Sequence, residues 1–208
     1  MNKLCKIIAI VSACLIMMSA LVSCGVDYTD EEIIKEAKAL IDASYEINEI
    51  YFGKGLPISA EDSEEAKNFA AENGLELENV QYLPVDAESE YKSIDDIKEK
   101  TAKVYSDSYC EYLYSMAFEG YSTDDGTAAV YAKYMEDESG ILTARIDLAE
   151  NPLPERTYDY ESMVVTEKKE DRASIKMDSY LDGEKEDKSV TFTFVKEDGV
   201  WKLDTPTY

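Results

Sequence analysis

Histidine is absent from all 208 residues. That removes Ser-His-Asp and Cys-His catalytic arrangements, imidazole metal sites and the commonest general base near neutral pH. The chain also lacks a P-loop, a GxGxxG turn, an HExxH helix and the spacing of a calcium-binding EF-hand. Catalysis would have to run on carboxylates, tyrosines or lysines with displaced pKa values. No catalytic residue, cofactor or resident metal is assigned from the sequence, and the chain reads as a non-enzyme.

Positive charge is scarce, with 21 Lys and Arg against 45 Asp and Glu. A surface of that sign repels nucleic acid and anionic headgroups and suits a cationic partner, a metal ion or plain solvation. Long apolar runs are scarce too. The one clear case, Ile7 to Val22 behind Lys3 and Lys6, falls short of the roughly 20 apolar residues a membrane span needs.

That run ends in Leu21-Val22-Ser23-Cys24-Gly25, which reads as a bacterial lipoprotein signal. The lysines stay on the cytoplasmic side, the apolar run enters the export machinery, and small Ser23 precedes a thiol able to take up a diacylglyceryl group. Ordinary signal cleavage fits less well, because Met18 or Leu21 would fill a small-residue site. Residues 1–23 are therefore expected to be a signal peptide, with Cys24 the lipid attachment site on the extracytoplasmic face of the cell membrane. Residues 24–28 form a short tether, and 29–208 form a single domain. The leader carries two lysines and no acids, so 19 basic and 45 acidic side chains remain, a net charge of −26. Cys5 and Cys14 leave with the leader and Cys24 is acylated, so Cys110 is the last free thiol. No intramolecular disulfide can then form and a hydrophobic core must hold the fold. Cys110, between Tyr109 and Tyr112, is expected to be buried.

The first part of that domain, residues 29–120, carries helical signals. Thr29 and Glu32 make a capping box, Tyr28 and Ile33 sit at staple positions, and Ile33, Ala37, Leu40, Ile41, Ser44, Ile47 and Tyr51 recur at helical spacing up to a stop at Gly53. A second helical pattern covers 60–72 and a short extended piece surrounds 80–83. Ser93 and Asp96 open a helix expected to run to about Tyr105, and Ser106 or Asp107 opens another ending at Gly120. From Ala128 the period drops to two. Val130, Ala132 and Tyr134 alternate with Tyr131, Lys133 and Met135, and Leu142, Ala144, Ile146 and Leu148 alternate likewise. After a breaker at 151–154, strands are expected over 157–167, 172–181, 189–196 and 200–203, with Asp182-Gly183 and Asp198-Gly199 as hairpin turns.

Helices followed by a meander, 128–208, predict an α+β fold with N-terminal helices packed on a curved C-terminal antiparallel sheet. The order resembles the cystatin-like or NTF2-like cone. Phe192, Phe194, Trp201 and Val164 are expected to fill the space between helix and sheet as core, which in such cones is alternatively a ligand pocket.

Particular segments resemble a family. Tyr82-Leu83-Pro84-Val85, then Tyr91-Lys92-Ser93-Ile94-Asp95-Asp96-Ile97-Lys98, then Val104-Tyr105-Ser106, and finally Phe192 to Lys196 and Gly199 to Leu203, are similar in order and spacing to the IseA-type D,L-endopeptidase inhibitors. The resemblance implies a cystatin-like fold and a partner among NlpC/P60-type cell-wall hydrolases, inhibited by occlusion of the active-site groove. Acidic loops suited to a basic groove are Asp124 with Asp125, and Glu136, Asp137 and Glu138. Two other readings stay open. One is a small-ligand-binding NTF2-like lipoprotein without catalytic activity, using some of the 16 tyrosines. The other is a carboxylate enzyme using Asp159 or Glu161, although a solvated strand face accounts for those acids.

Overall fold

The computed structural model describes residues 28–60, 63–76, 80–122, 129–146 and 156–208. The expected leader, Cys24, the Asp124-Asp125 turn and the breaker at 151–154 lie outside the described residues. The fold is mixed α+β. Helices α1 (Asp30–Tyr51) and α2 (Glu64–Glu72) precede β1 (Tyr82–Pro84), and α3 (Ile94–Ala102) and α4 (Asp107–Tyr114) follow, the last running into a π-helical turn at Ser115–Glu119. Strands β2 (Tyr121–Ser122), β3 (Ala129–Val130), β4 (Tyr134–Glu136), β5 (Leu142–Arg145), β6 (Arg156–Lys168), β7 (Arg172–Leu181), β8 (Glu184–Lys185), β9 (Val190–Glu197) and β10 (Val200–Leu203) complete the order.

Local chemistry sets the helix ends. Thr29 Oγ1 accepts from Glu32 N while the Glu32 carboxylate accepts from Thr29 N, so two otherwise orphaned donors are satisfied where α1 begins. Ser93 and Asp96 repeat the device on α3. The third helix stops at Ala102, short of the expected Tyr105, because Tyr105 is recruited by a strand. Leu203 N donates to Val104 O and Ser106 N donates to Leu203 O, forming a parallel bridge between Tyr105 and Leu203. Sheet pairing satisfies the same backbone groups that another helical turn would have used.

The main sheet runs in the order β10-β9-β7-β6, all antiparallel, with β8 also on β7. Its turns fall at the expected Asp-Gly pairs. Asp182 and Gly183 have φ of 50° and 83°, Asp198 and Gly199 of 49° and 83°, the left-handed pairs that match strand twist. Helix α1 packs across this sheet. Ile33, Ile41, Ile47 and Ile50 are buried beside Ala173, Ile175 and Met177 of β7 and Phe192 and Phe194 of β9. At about 1.5–3 kcal/mol gross for each large apolar side chain, those four isoleucines make α1 the principal cover of the sheet.

A smaller sheet, β1-β5-β4, attaches to the other end of α1. The Tyr134 hydroxyl donates to Ile50 O and accepts from Leu56 N. Helix α2 covers β1 through Ala66, Phe69 and Ala70, packed with Val80 and Leu83. With cover on both faces, β5 does not alternate: Leu142, Thr143 and Ala144 are all buried.

Two expectations are corrected. The strand expected from Ala128 is broken at 131–133 between β3 and β4, and the expected alternation fails there because Ala132, Lys133 and Tyr134 are all buried. Val164, expected in the core, is 59% exposed. The cause is a bulge: Asp159 pairs with Asp178 but Val164 with Lys176, so three extra residues enter β6 and the facing side chains switch parity. Met163 takes the buried place beside Tyr158.

Candidate binding surface

The space between α1 and the main sheet is occupied by side chains. Tyr105, Tyr158, Phe192 and Phe194 fill it, and at its centre lies a closed polar knot. Asn48 Nδ2 donates to Thr207 Oγ1 at 2.9 Å, Thr207 Oγ1 donates to Ser44 Oγ at 2.6 Å, and Ser44 Oγ donates to Ile41 O at 2.7 Å. Tyr105 donates to Asn48 Oδ1 at 3.0 Å, and Tyr158 donates to Thr207 O at 2.8 Å. Burial pushes the Tyr105 hydroxyl up to about 12, so it stays a neutral donor. The Cys110 thiol is buried, sits 3.6 Å from Tyr105 O, and is pushed up by desolvation, which suppresses nucleophilic character. Among the described residues, no group of three or more acids or cysteines is placed to hold a metal ion.

Lys133 is the site residue that sequence reasoning missed. Its Nζ donates to Gly53 O at 2.8 Å and to Tyr51 O at 3.4 Å, capping the carbonyl end of α1 where the helix dipole favours a cation. Burial lowers its ammonium to about 8, opposed by attraction from Glu49. The cap is intramolecular, and period-two alternation across residues 131–135 hides it.

The acidic turn between β4 and β5 has a division of labour invisible in the sequence. Glu136 Oε1 accepts from Ile94 N at 2.7 Å and so joins β4 to the start of α3. Asp137 Oδ1 accepts from Ser139 N at 2.9 Å and from Ile141 N at 2.8 Å, folding its own loop. Glu138 is exposed. Of the three expected partner-binding acids here, two are engaged in local structure and one points to solvent.

Beside this turn lies a groove of about 350 Å³. Phe69 of α2, Pro84 of β1 and Ile141, the residue following the turn, give it apolar walls, and Glu65, Asn68 and Glu72 supply polar ones. Glu65 also accepts from Ser59 Oγ at 2.6 Å, while Glu72 is exposed. Ile141 is 40% and nearby Met135 45% exposed. Met135 pairs with Thr143, and Ile141 stands just before β5, so both exposed side chains flank the β4-β5 turn. The arrangement offers apolar area inside an acidic rim. It suits an apolar side chain flanked by cationic ones.

The acids considered for catalysis lie elsewhere. Glu161 is exposed, and Asp159 Oδ1 accepts from Glu161 N at 3.1 Å within the bulge. Asp124 and Asp125 lie outside the described residues. No helix among the described residues is long and apolar enough to cross a membrane. A scan of protein-family models and a search of curated proteins find no match to this chain.

Proposed function

We propose that this chain is a lipid-anchored, extracytoplasmic binding module that holds a basic and apolar segment of a secreted cell-wall hydrolase in the groove between α2 and the β1-β5-β4 sheet. The observation that carries the reading is the groove itself, with Phe69, Pro84 and Ile141 walled by Glu65 and Glu72, and with exposed Glu138 in the turn that leads into Ile141. Three further features support it. The Leu21-Val22-Ser23-Cys24 signal supplies an anchor at the outer membrane face, the net charge of −26 after the leader speeds encounter with a basic partner, and the similarity of residues 82–106 and 192–203 to IseA-type inhibitors indicates NlpC/P60-type hydrolases as that partner. Occlusion of the partner's active-site groove would then inhibit it without chemistry by this chain. The competing reading, a small-ligand pocket under α1, loses ground because Tyr105, Tyr158, Phe192 and Phe194 occupy that space.

The test is a pull-down from cell-envelope extract with the detergent-solubilised protein, followed by inhibition assays on the hydrolase recovered. Recovery at low salt and loss at high salt is expected for exposed charge pairs. Glu72→Lys combined with Glu138→Lys, two exposed acids outside the turn-forming contacts, should weaken inhibition about tenfold or more, as about 1.4 kcal/mol in binding implies. Unchanged inhibition by that double variant overturns the groove assignment.

A further inference from the structure

The start of α1 is surrounded by the turns of the main sheet. Lys168 Nζ bonds Asp30 Oδ1 at 2.8 Å, bringing the end of β6 to the first turn of the helix. Lys196 N donates to Asp171 O at 2.8 Å, joining the β6-β7 turn to the end of β9. Tyr28 packs edge-on against Trp201 with ring centroids 5.6 Å apart, and Lys196 Nζ sits 4.4 Å from the Tyr28 ring centroid while also bonding its hydroxyl. A pocket of about 400 Å³ opens here between Tyr28, Lys196, Gly199, Glu170 and Asp171. Val200, the first residue of β10 after the Asp198-Gly199 turn, is 55% exposed.

Resting on the reading of Cys24 as the anchor, we infer that this pole, made of Tyr28, Lys196, the Asp198-Gly199 turn with Val200 and the 169–171 turn, lies against the lipid headgroups of the outer membrane face. The length of the tether limits its reach. Three residues separate Cys24 from Tyr28, and the four Cα–Cα steps between them span at most about 14 Å. Tyr28 is pinned to Trp201, so the acylated cysteine holds the end of the sheet, and not merely a loose strand, next to the bilayer.

The residues there suit an interface. Half-buried Tyr28 and Lys196 combine apolar bodies with polar ends, the chemistry favoured at headgroup depth, and Trp201 is buried beneath them. Exposed Val200 adds an apolar side chain. Lys168, Lys169, Arg172 and Lys196 gather at this pole of a strongly acidic chain, where Lys168 is paired with Asp30 and Lys169 with Glu167. These four cations offset part of the negative charge that Asp30, Glu167, Glu170, Asp171 and Asp198 bring to the same pole. The small sheet that carries the groove is joined to the opposite end of α1, which at 22 residues is about 33 Å long. A domain standing on this pole therefore presents the groove away from the membrane, toward the wall.

Trp201 is the only tryptophan in the chain, so its fluorescence reports one place. The full-length protein, purified from membranes with its lipid confirmed by mass, is reconstituted into phosphatidylcholine vesicles containing dansyl-headgroup lipid. Energy transfer from Trp201 is then compared with that from the variant carrying Trp201→Phe and Tyr131→Trp; Tyr131 is 57% exposed and lies two residues before the Lys133 cap at the far end of α1. Transfer from Trp201 should exceed that from position 131 several-fold. Equal or reversed transfer in a protein that does carry the lipid overturns the orientation alone. A mass without the acyl increment overturns the anchor reading, and the orientation with it.

Discussion

Thr207 shows how much structure one hydroxyl can organise. Its Oγ1 meets Asn48 Nδ2, Ser44 Oγ and the Tyr105 hydroxyl, while its carbonyl accepts from Tyr158. Replacing it with valine keeps the shape and removes the shared atom. Asn48, Ser44 and Tyr105 each retain one other partner, namely Thr207 O, Ile41 O and Asn48 Oδ1. The cost is therefore that of imperfectly satisfied buried groups, about 1–3 kcal/mol. Urea unfolding of Thr207→Val should show that loss with an unchanged slope, and Thr207→Ser should recover most of it. None of this was legible in the sequence, where Thr207 has no periodic context and its partners lie 159 and 163 residues away.

At the scale of elements, what sequence revealed was what local chemistry decides. The capping boxes at Thr29 and Ser93 and the left-handed Asp-Gly turns stand where side-chain pattern alone put them, because each closes its hydrogen bonds within a few residues. The misreadings have non-local causes. The end of α3 was moved by Leu203, and the facing of β6 by a bulge that no turn residue announces. The candidate site divides the same way. The acidity of the Glu136 to Glu138 turn was legible, but its groove needs Phe69 and Pro84 from elements far away in sequence.

The bulge in β6 is held by Ser162, whose Oγ donates to Asp159 O at 2.7 Å and accepts from Asp178 N at 2.8 Å. Ser162→Ala leaves both backbone groups without that partner and should cost about 1–2 kcal/mol. Hydrogen exchange at the Asp178 amide should quicken more than at Ile175, which lies beyond this bulge and pairs with Val165 on β6 and Phe192 on β9. Equal change at both amides would mean that the bulge is fixed by packing of Met163 instead.

For the whole molecule, the absence of histidine leaves stability level through the mildly acid and neutral range, and the two flanks have different owners. On the acid side, hydrogen bonding lowers the pKa of several carboxyls, including Glu46 through Tyr91, Asp178 through Lys185 and Glu186 through Ser179. Their contribution is complete above the ordinary carboxylate range and is lost as pH falls through the lowered values. On the alkaline side the first event is a gain. Lys133 titrates near 8 when folded but near 10.4 when unfolded. Between those values the unfolded chain binds the extra proton, so stability rises with pH. Burial raises the hydroxyls of Tyr51, Tyr91, Tyr105, Tyr134 and Tyr158 above the unfolded value of about 10. Their contribution is present below that pH and is lost as pH climbs through the folded values, which makes alkaline unfolding steep. Lys133→Met separates the two effects. From about pH 7 to about pH 9, wild type should gain on the order of 1 kcal/mol relative to the variant, while both should collapse together once the tyrosines of the unfolded chain ionise. A wild type that gains nothing over Lys133→Met in that window would show that the ammonium keeps its ordinary pKa, and that the carbonyl end of α1 solvates it as well as water does.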